Sequence, residues 1–209
     1  FDDPQVLELV NSRLPVVTID HVFNNRAAVV SDNVRGMEEL VRYVYAKGHR
    51  RSAFIHGEQT AVTENRLTGF YRACDALELE IPDAYIREGV YHDPDRCAEL
   101  TRELLRLPEP PTCILMPDDF SSIGGRNAIH RMDLRLPEDI SVAGYDGIQI
   151  ASVMSPALTT YRQDTQALGR TAAAKLIELI EKPRTALVDR VLIPGHLVEG
   201  ASVRAIETL

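Results

Sequence analysis

The chain has 209 residues, 44% of them hydrophobic, enough to bury one large domain or two small ones. With 31 acidic against 23 basic residues, a formal charge of -8 and no basic arm or stripe, phosphate-backbone binding by this chain itself is disfavoured. Its apolar runs, such as 114–116, are strand-sized and far short of the roughly 20 residues that span a bilayer, so no membrane segment is expected.

In chain order, residues 4–10 read as a helix-like stretch. The start at Phe1, without an initiator methionine or a signal peptide, reads as that of a fragment. A first strand follows at 16–19. After Asp32, an N-cap residue type, Val34, Met37, Leu40, Val41 and Val44 fall at helical spacing, and Gly48 supplies the stop. Residues 53–55 read as a strand, and Leu67, Phe70, Tyr71, Cys74 and Leu77 as a helix face. A strand is expected at 85–87, then a helix opened by Asp93-Pro94 with proline at its favoured first position. The alternation continues with a strand at 113–116, a helix over 120–132, strands at 140–144 and 158–161, and a helix through Leu168, Ala172, Leu176 and Leu179 that ends before Pro183. Strands alternating with helices of this length predict an α/β fold, a parallel sheet wrapped by helices. No internal repeat or flexible linker is visible, so a second lobe must be woven from segments distant in sequence. Cys74, Cys97 and Cys113, odd in number and set among apolar residues, fit buried reduced thiols in a cytoplasm.

No phosphate loop, nucleophile elbow, dinucleotide fingerprint or zinc-protease string occurs, and the histidines are not paired with cysteines at metal spacing; no cofactor, metal or catalytic residue is expected. Polar residues instead stand just past the carboxyl ends of predicted strands: Asp20, Asp118, Asp119, Asp146 and Gln163. That edge is where open α/β sheets bind ligands. Plainer readings stand beside this one. Asp32 and Asp119 precede helices and suit N-caps. Asp146-Gly147 suits a turn, and Arg66 suits a solvated helix position. Tyr91 suits either surface or cleft, and the basic run at 49–51 suits a helix end, where positive charge complements the dipole.

Five ordered segments narrow these choices: VSDNVRGMEELVRYVYAKGHRRSAFIHG (30–57), NRLTGF (65–70), PDDFSSIGG (117–125), LPEDISVAGYDG (136–147) and SPALTTYRQD (155–164). Together they resemble motifs of the LacI/GalR family of bacterial transcriptional regulators, over nearly the whole chain. The resemblance implies two doubly wound parallel-sheet lobes of the periplasmic-binding-protein type, crossed by the chain three times, with a small-molecule effector in the cleft. Residues 1–30 and 163–191 would form the remainder of the DNA-proximal lobe, and 32–161 with 192–209 the distal lobe. The DNA-binding head and the first strands of the proximal lobe would lie outside this sequence, so operator DNA would be bound through that head and not through this chain.

Residue by residue, Arg66 matches the family's effector-binding arginine, Asp146 its effector-binding aspartate and Tyr91 the aromatic that stacks on the ligand. Asp20 and Gln163 match cleft positions. Asp118 stands where many sugar-responsive members have asparagine. Arg66 and Asp146 are expected on facing strand ends, gripping the effector, so that truncating either costs binding more than folding. Carboxylates that accept from vicinal hydroxyls, an arginine fork and an aromatic face suit a neutral polyhydroxylated ligand, a sugar, although some relatives take purines. A homodimer is implied through the helix at 120–132 and the segment 148–154, with Ile123, Val153 and Met154 as interface candidates; the competing reading is that they fill the lobe's own core. Two rivals remain: a periplasmic-type solute-binding protein for sugar uptake, which a helix-turn-helix upstream would exclude, and an α/β enzyme, which the missing motifs disfavour.

Overall fold

The computed structural model describes residues 4–23, 26–183 and 187–206. In chain order the elements are α1 (Pro4–Asn11), β1 (Val17–Ile19), β2 (Ala27–Ser31), α2 (Asn33–Ala46), β3 (Ser52–His56) and α3 (Ala61–Ala76). There follow β4 (Ile86–Glu88), α4 (Pro94–Leu105), β5 (Cys113–Leu115), α5 (Ser122–Arg131) and β6 (Ser141–Asp146). The chain then runs through α6 (Gln149–Val153), β7 (Thr159–Arg162), α7 (Thr165–Glu181), β8 (Arg190–Ile193) and β9 (His196–Val198). These divide into two compact units. One holds the residues up to Asp32 together with Asp164–Gly195, the other Asn33–Gln163 and the residues from His196 onward.

The first unit carries a three-stranded parallel sheet in the order β1-β2-β8. Its centre is β2, a strand not among the sequence expectations, buried at all five positions. Ala-Ala-Val-Val is too short and too uniform to show a period, which is why it is silent in the sequence. Val29 packs against Leu168 and Ala172 of α7, with Val17, Val191 and Ile193 around them. The chain boundary expected after residue 191 falls instead after Gly195. Leu192 and Ile193 pair with Val30 and Ser31, and those ladder bonds tie β8 to β2.

In the second unit six strands run in the order β4-β3-β5-β6-β7-β9, parallel except for the antiparallel edge strand β9. Successive side chains of a strand point to opposite faces, so a central strand buried on both sides must be apolar throughout. Phe54, Cys113, Leu115, Ala143 and Tyr145 turn to one face, where Met37, Leu40, Val41 and Val44 of α2 and Phe70, Ala73 and Cys74 of α3 cover them. Ala53, Ile55, Ile114, Met116 and Val142 turn to the other, against Cys97, Leu100 and Leu104 of α4 and Ile129 of α5. This is a sheet wound on both faces. All three cysteines are free and buried within it.

Local signals act as the sequence implies at several helix ends. Asp93 caps α4, its carboxylate accepting the Arg96 N–H at 2.9 Å with Pro94 next to it, and Gly48 after α2 has φ +95°. Of the basic run after α2, only Arg50 serves the helix end, donating to the Tyr45 carbonyl at 2.8 Å. His49 is buried instead, bonded to Thr112 and the Arg204 carbonyl, and burial lowers its pKa to about 4, leaving the ring neutral. Among the described residues no helix is long and apolar enough to cross a membrane.

Candidate functional site

Because β5, β6 and β7 are parallel neighbours, the residues that leave their carboxyl ends arrive together: Pro117-Asp118-Asp119 after β5, Asp146 closing β6, and Gln163 after β7. Arg66 reaches this edge from α3, not from a strand end as expected. Neither is it solvated: its side chain is 4% exposed. Nε donates to Asn33 Oδ1 at 3.0 Å, Nη1 to the Pro117 carbonyl at 2.8 Å and Nη2 to Asp146 Oδ1 at 3.1 Å. The guanidinium carbon lies 3.7 Å from the centroid of the Tyr145 ring, a cation–π contact that fixes the plane of the fork. Burial works against the charge on Arg66, but the fields of Asp146, Tyr91 and Tyr145 outweigh it and hold the pKa above the usual value.

Asp146 receives a second donor on the same oxygen, Gln163 Nε2 at 2.6 Å. Burial pushes its carboxyl pKa up, while Arg66 and the Gln163 amide pull it back. Its side chain keeps 20% of its exposure, so the pair is buried at the arginine end and open at the carboxylate end. Its backbone sits at φ +105°, a conformation that a non-glycine residue adopts only where its surroundings impose it.

Tyr91 belongs to the same group. Its hydroxyl meets Thr63 Oγ1 at 2.9 Å, its N–H donates to Glu58 Oε2 at 2.9 Å, and its ring centroid lies 5.4 Å from the Arg66 guanidinium carbon. The ring covers Gly57, where a Cβ would lie 2.2 Å from it.

Asp118 is buried and committed within the unit. Oδ1 accepts the Ser121 N–H at 2.7 Å, and Oδ2 accepts the Ser121 hydroxyl at 2.7 Å and the His92 N–H at 3.0 Å. Asp118 thus closes the turn ahead of α5 through Ser121, and neither aspartate caps the helix itself. The Asp119 carboxylate turns into the sheet, accepting the Thr160 hydroxyl at 2.6 Å and the Ile148 N–H at 2.8 Å. Asp20 belongs to the first unit, at the end of β1, where it accepts the Ser31 N–H at 2.6 Å. The structure therefore brings together Arg66, Asp146, Tyr91, Asp118 and Gln163 within the second unit.

Sequence reasoning missed Asn33 and Tyr145 as partners of Arg66. Both carried a signal: Asn33 follows the N-cap candidate Asp32, and Tyr145 alternates with Gly144 and Asp146 in a strand that must be buried. Of the interface candidates, Val153 is 71% exposed and Ile123 partly buried, whereas Met154 packs on the core of its own unit. Among the described residues no cluster of three or more His, Cys, Asp or Glu side chains is placed to hold a metal ion.

The family model described as "Periplasmic binding protein-like domain" matches residues 41–203. The chain is 29% identical over 211 residues to the "Probable HTH-type transcriptional repressor ExuR" of Bacillus subtilis, covering all of this chain and 63% of that protein. Among solved structures, a transcriptional regulator LacI from Bacillus cereus subsp. cytotoxis superposes with a TM-score of 0.90 at 25% identity, over 99% of this chain and 74% of that one. The transcriptional regulator CelR in complex with cellobiose superposes with a TM-score of 0.88 at 28% identity, over 96% of this chain and 62% of that one. These relatives are regulators and not enzymes, and the chain spans less than two thirds of ExuR. The sheet wound on both faces, the ordered motifs and these matches agree: the chain belongs to the periplasmic binding protein-like domain family, in the form carried by LacI-family transcriptional regulators.

Proposed function

We propose that this chain is the effector-sensing part of a LacI-type repressor, and that it binds a small polyhydroxylated molecule, a sugar, at the carboxyl edge of the six-stranded sheet. The observation that carries this reading is the Arg66–Asp146–Gln163 cluster: a guanidinium immobilised by three acceptors and a tyrosine ring holds a partly exposed carboxylate at a strand end. A carboxylate so held accepts hydrogen bonds from vicinal hydroxyls without losing side-chain entropy on binding. Tyr91 supplies the aromatic surface. The relative solved with cellobiose supports the ligand class.

Binding biases an equilibrium between two dispositions of the chain by no more than the ligand's differential affinity for them, and the DNA-binding head reads that bias on its operator. The regulator acts as a homodimer in the cytoplasm, where its operator lies, with Ile123 and Val153 at the two-fold contact.

A thermal-shift screen of sugars, cellobiose among them, and of nucleobases tests the ligand class. A compound at a hundred times its dissociation constant adds about 2.7 kcal/mol to stability. Stabilisation by a sugar is the expected result. Stabilisation by nucleobases alone defeats the sugar reading, and turnover of a sugar defeats the regulatory one.

A further inference from the structure

Asp119 is fully buried, yet its carboxylate is turned toward the loop that carries Asp146. Oδ2 accepts the Ile148 N–H at 2.8 Å and Oδ1 the Thr160 hydroxyl at 2.6 Å. The same hydroxyl oxygen accepts the Gly147 N–H at 3.3 Å, and that amide also faces the carboxylate, so both amides that follow Asp146 are held at this point. The loop needs such restraint: Asp146 and Gly147 have φ +105° and +69°, outside the range that the chain prefers unaided. Room for the carboxylate comes from Gly144, where a Cβ would lie 2.3 Å from Asp119 Oδ1.

Resting on the reading of Asp146 as a ligand contact, we propose that Asp119 is the positioning residue of this edge. By holding the Gly147 and Ile148 amides it sets the left-handed turn and so aims the Asp146 carboxylate at Gln163 and at the ligand. Asp119 does not itself meet the ligand, being sealed beneath the loop.

The restraint depends on the protonation of Asp119. Burial pushes its carboxyl pKa up to about 7, against the pull of the Thr160 hydroxyl and the Ile148 and Gly147 amides, and the Asp146 charge adds to the rise. From β7 it faces Thr160, from β6 Gly144 and the Asp146 charge, and the Arg162 guanidinium reaches the same loop at the Gly147 carbonyl, 3.1 Å away. A proton on Asp119 removes its charge and makes one of its oxygens a donor, so the charge-assisted hold on the loop amides weakens.

Amide NMR on the 209-residue chain tests this without any ligand. In the wild type, the Gly147 and Ile148 resonances and the side-chain amide of Gln163 should titrate together with a midpoint near pH 7. In Asp119→Asn, which resembles the protonated state, that titration should vanish. Hydrogen exchange at Ile148 should then speed up by roughly ten- to a hundredfold, as for the loss of a charge-assisted bond. Thr160→Val, which removes the hydroxyl's bond to Gly147, should speed exchange at Gly147 more than at Ile148; it carries the test if Asp119→Asn fails to fold. Amides that do not titrate overturn the proposal, as does a titration that persists in Asp119→Asn but disappears in Asp146→Asn. Because no sugar enters, this result stands apart from that of the ligand screen.

Discussion

Arg66 and Asp146, 80 residues apart in the chain, meet at 3.1 Å with the arginine side chain 4% exposed and the aspartate 20%. The pair ties α3 to the end of β6 across the top of the sheet. The burial of the guanidinium makes the pair part of the fold, so its removal should cost stability as well as any binding.

Arg66→Ala is therefore expected to destabilise the chain by about 3–5 kcal/mol, because it leaves the Asp146 carboxylate and the Asn33 and Pro117 oxygens without their donor. Asp146→Ala alone should cost less, its site being partly open to water. The double variant should cost less than the sum, since no Asp146 carboxylate is then left without its guanidinium. Urea unfolding of the four proteins closes the cycle, and strict additivity would deny the coupling.

Between about pH 4 and pH 7 two buried groups pull stability in opposite directions. Asp119, with its pKa raised to about 7, binds a proton in the folded state that the unfolded chain has already released, so its contribution falls as pH rises. His49, lowered to about 4, stays neutral where the unfolded chain takes up a proton, so its contribution grows as pH rises toward 6.5. The wild type should consequently show a shallow profile. Asp119→Asn should expose a rising slope and His49→Gln a falling one, each at most about 1.4 kcal/mol per pH unit, measured as denaturant midpoints against pH. Parallel profiles in all three proteins would refute the assignment.

Gly57→Ala places a methyl group 2.2 Å from the Tyr91 ring. The ring, partly exposed, should swing away and give up its bond to Thr63, costing about 1 kcal/mol in folding. Loss of the aromatic surface should weaken whichever sugar the screen identifies by about three- to tenfold. Titration calorimetry beside melting curves checks both numbers, and unchanged affinity would remove Tyr91 from the ligand surface.

Val153, 71% exposed at the end of α6 near the exposed Ile148, has no packing role within the chain that would suffer from a charge. Val153→Asp should leave the melting temperature within about 0.5 kcal/mol of the wild type in stability terms. It should shift sedimentation at micromolar concentration from dimer to monomer. A wild-type monomer, or a dimer that tolerates the aspartate, would rule this face out as the contact.

Most elements of the larger unit were legible in the chain, because apolar runs bounded by turn residues and amphipathic helices with caps can be read from one sequence: β3, β5, β6, α2 and α4 stand within a few residues of where spacing and caps put them, as does α7 of the smaller unit. The family was legible there too, since five ordered motifs outweigh any one ambiguous residue. The roles of the polar residues emerge from the folded chain alone. Asp118 and Asp119 are adjacent and chemically identical, yet the first closes a turn on Ser121 and the second clamps a loop at Thr160 and Ile148. Arg66, read locally as a surface helix residue, is held by acceptors from 33 to 80 residues away. Strand pairing fixes such partners, and pairing between distant segments leaves no period in the sequence to be read.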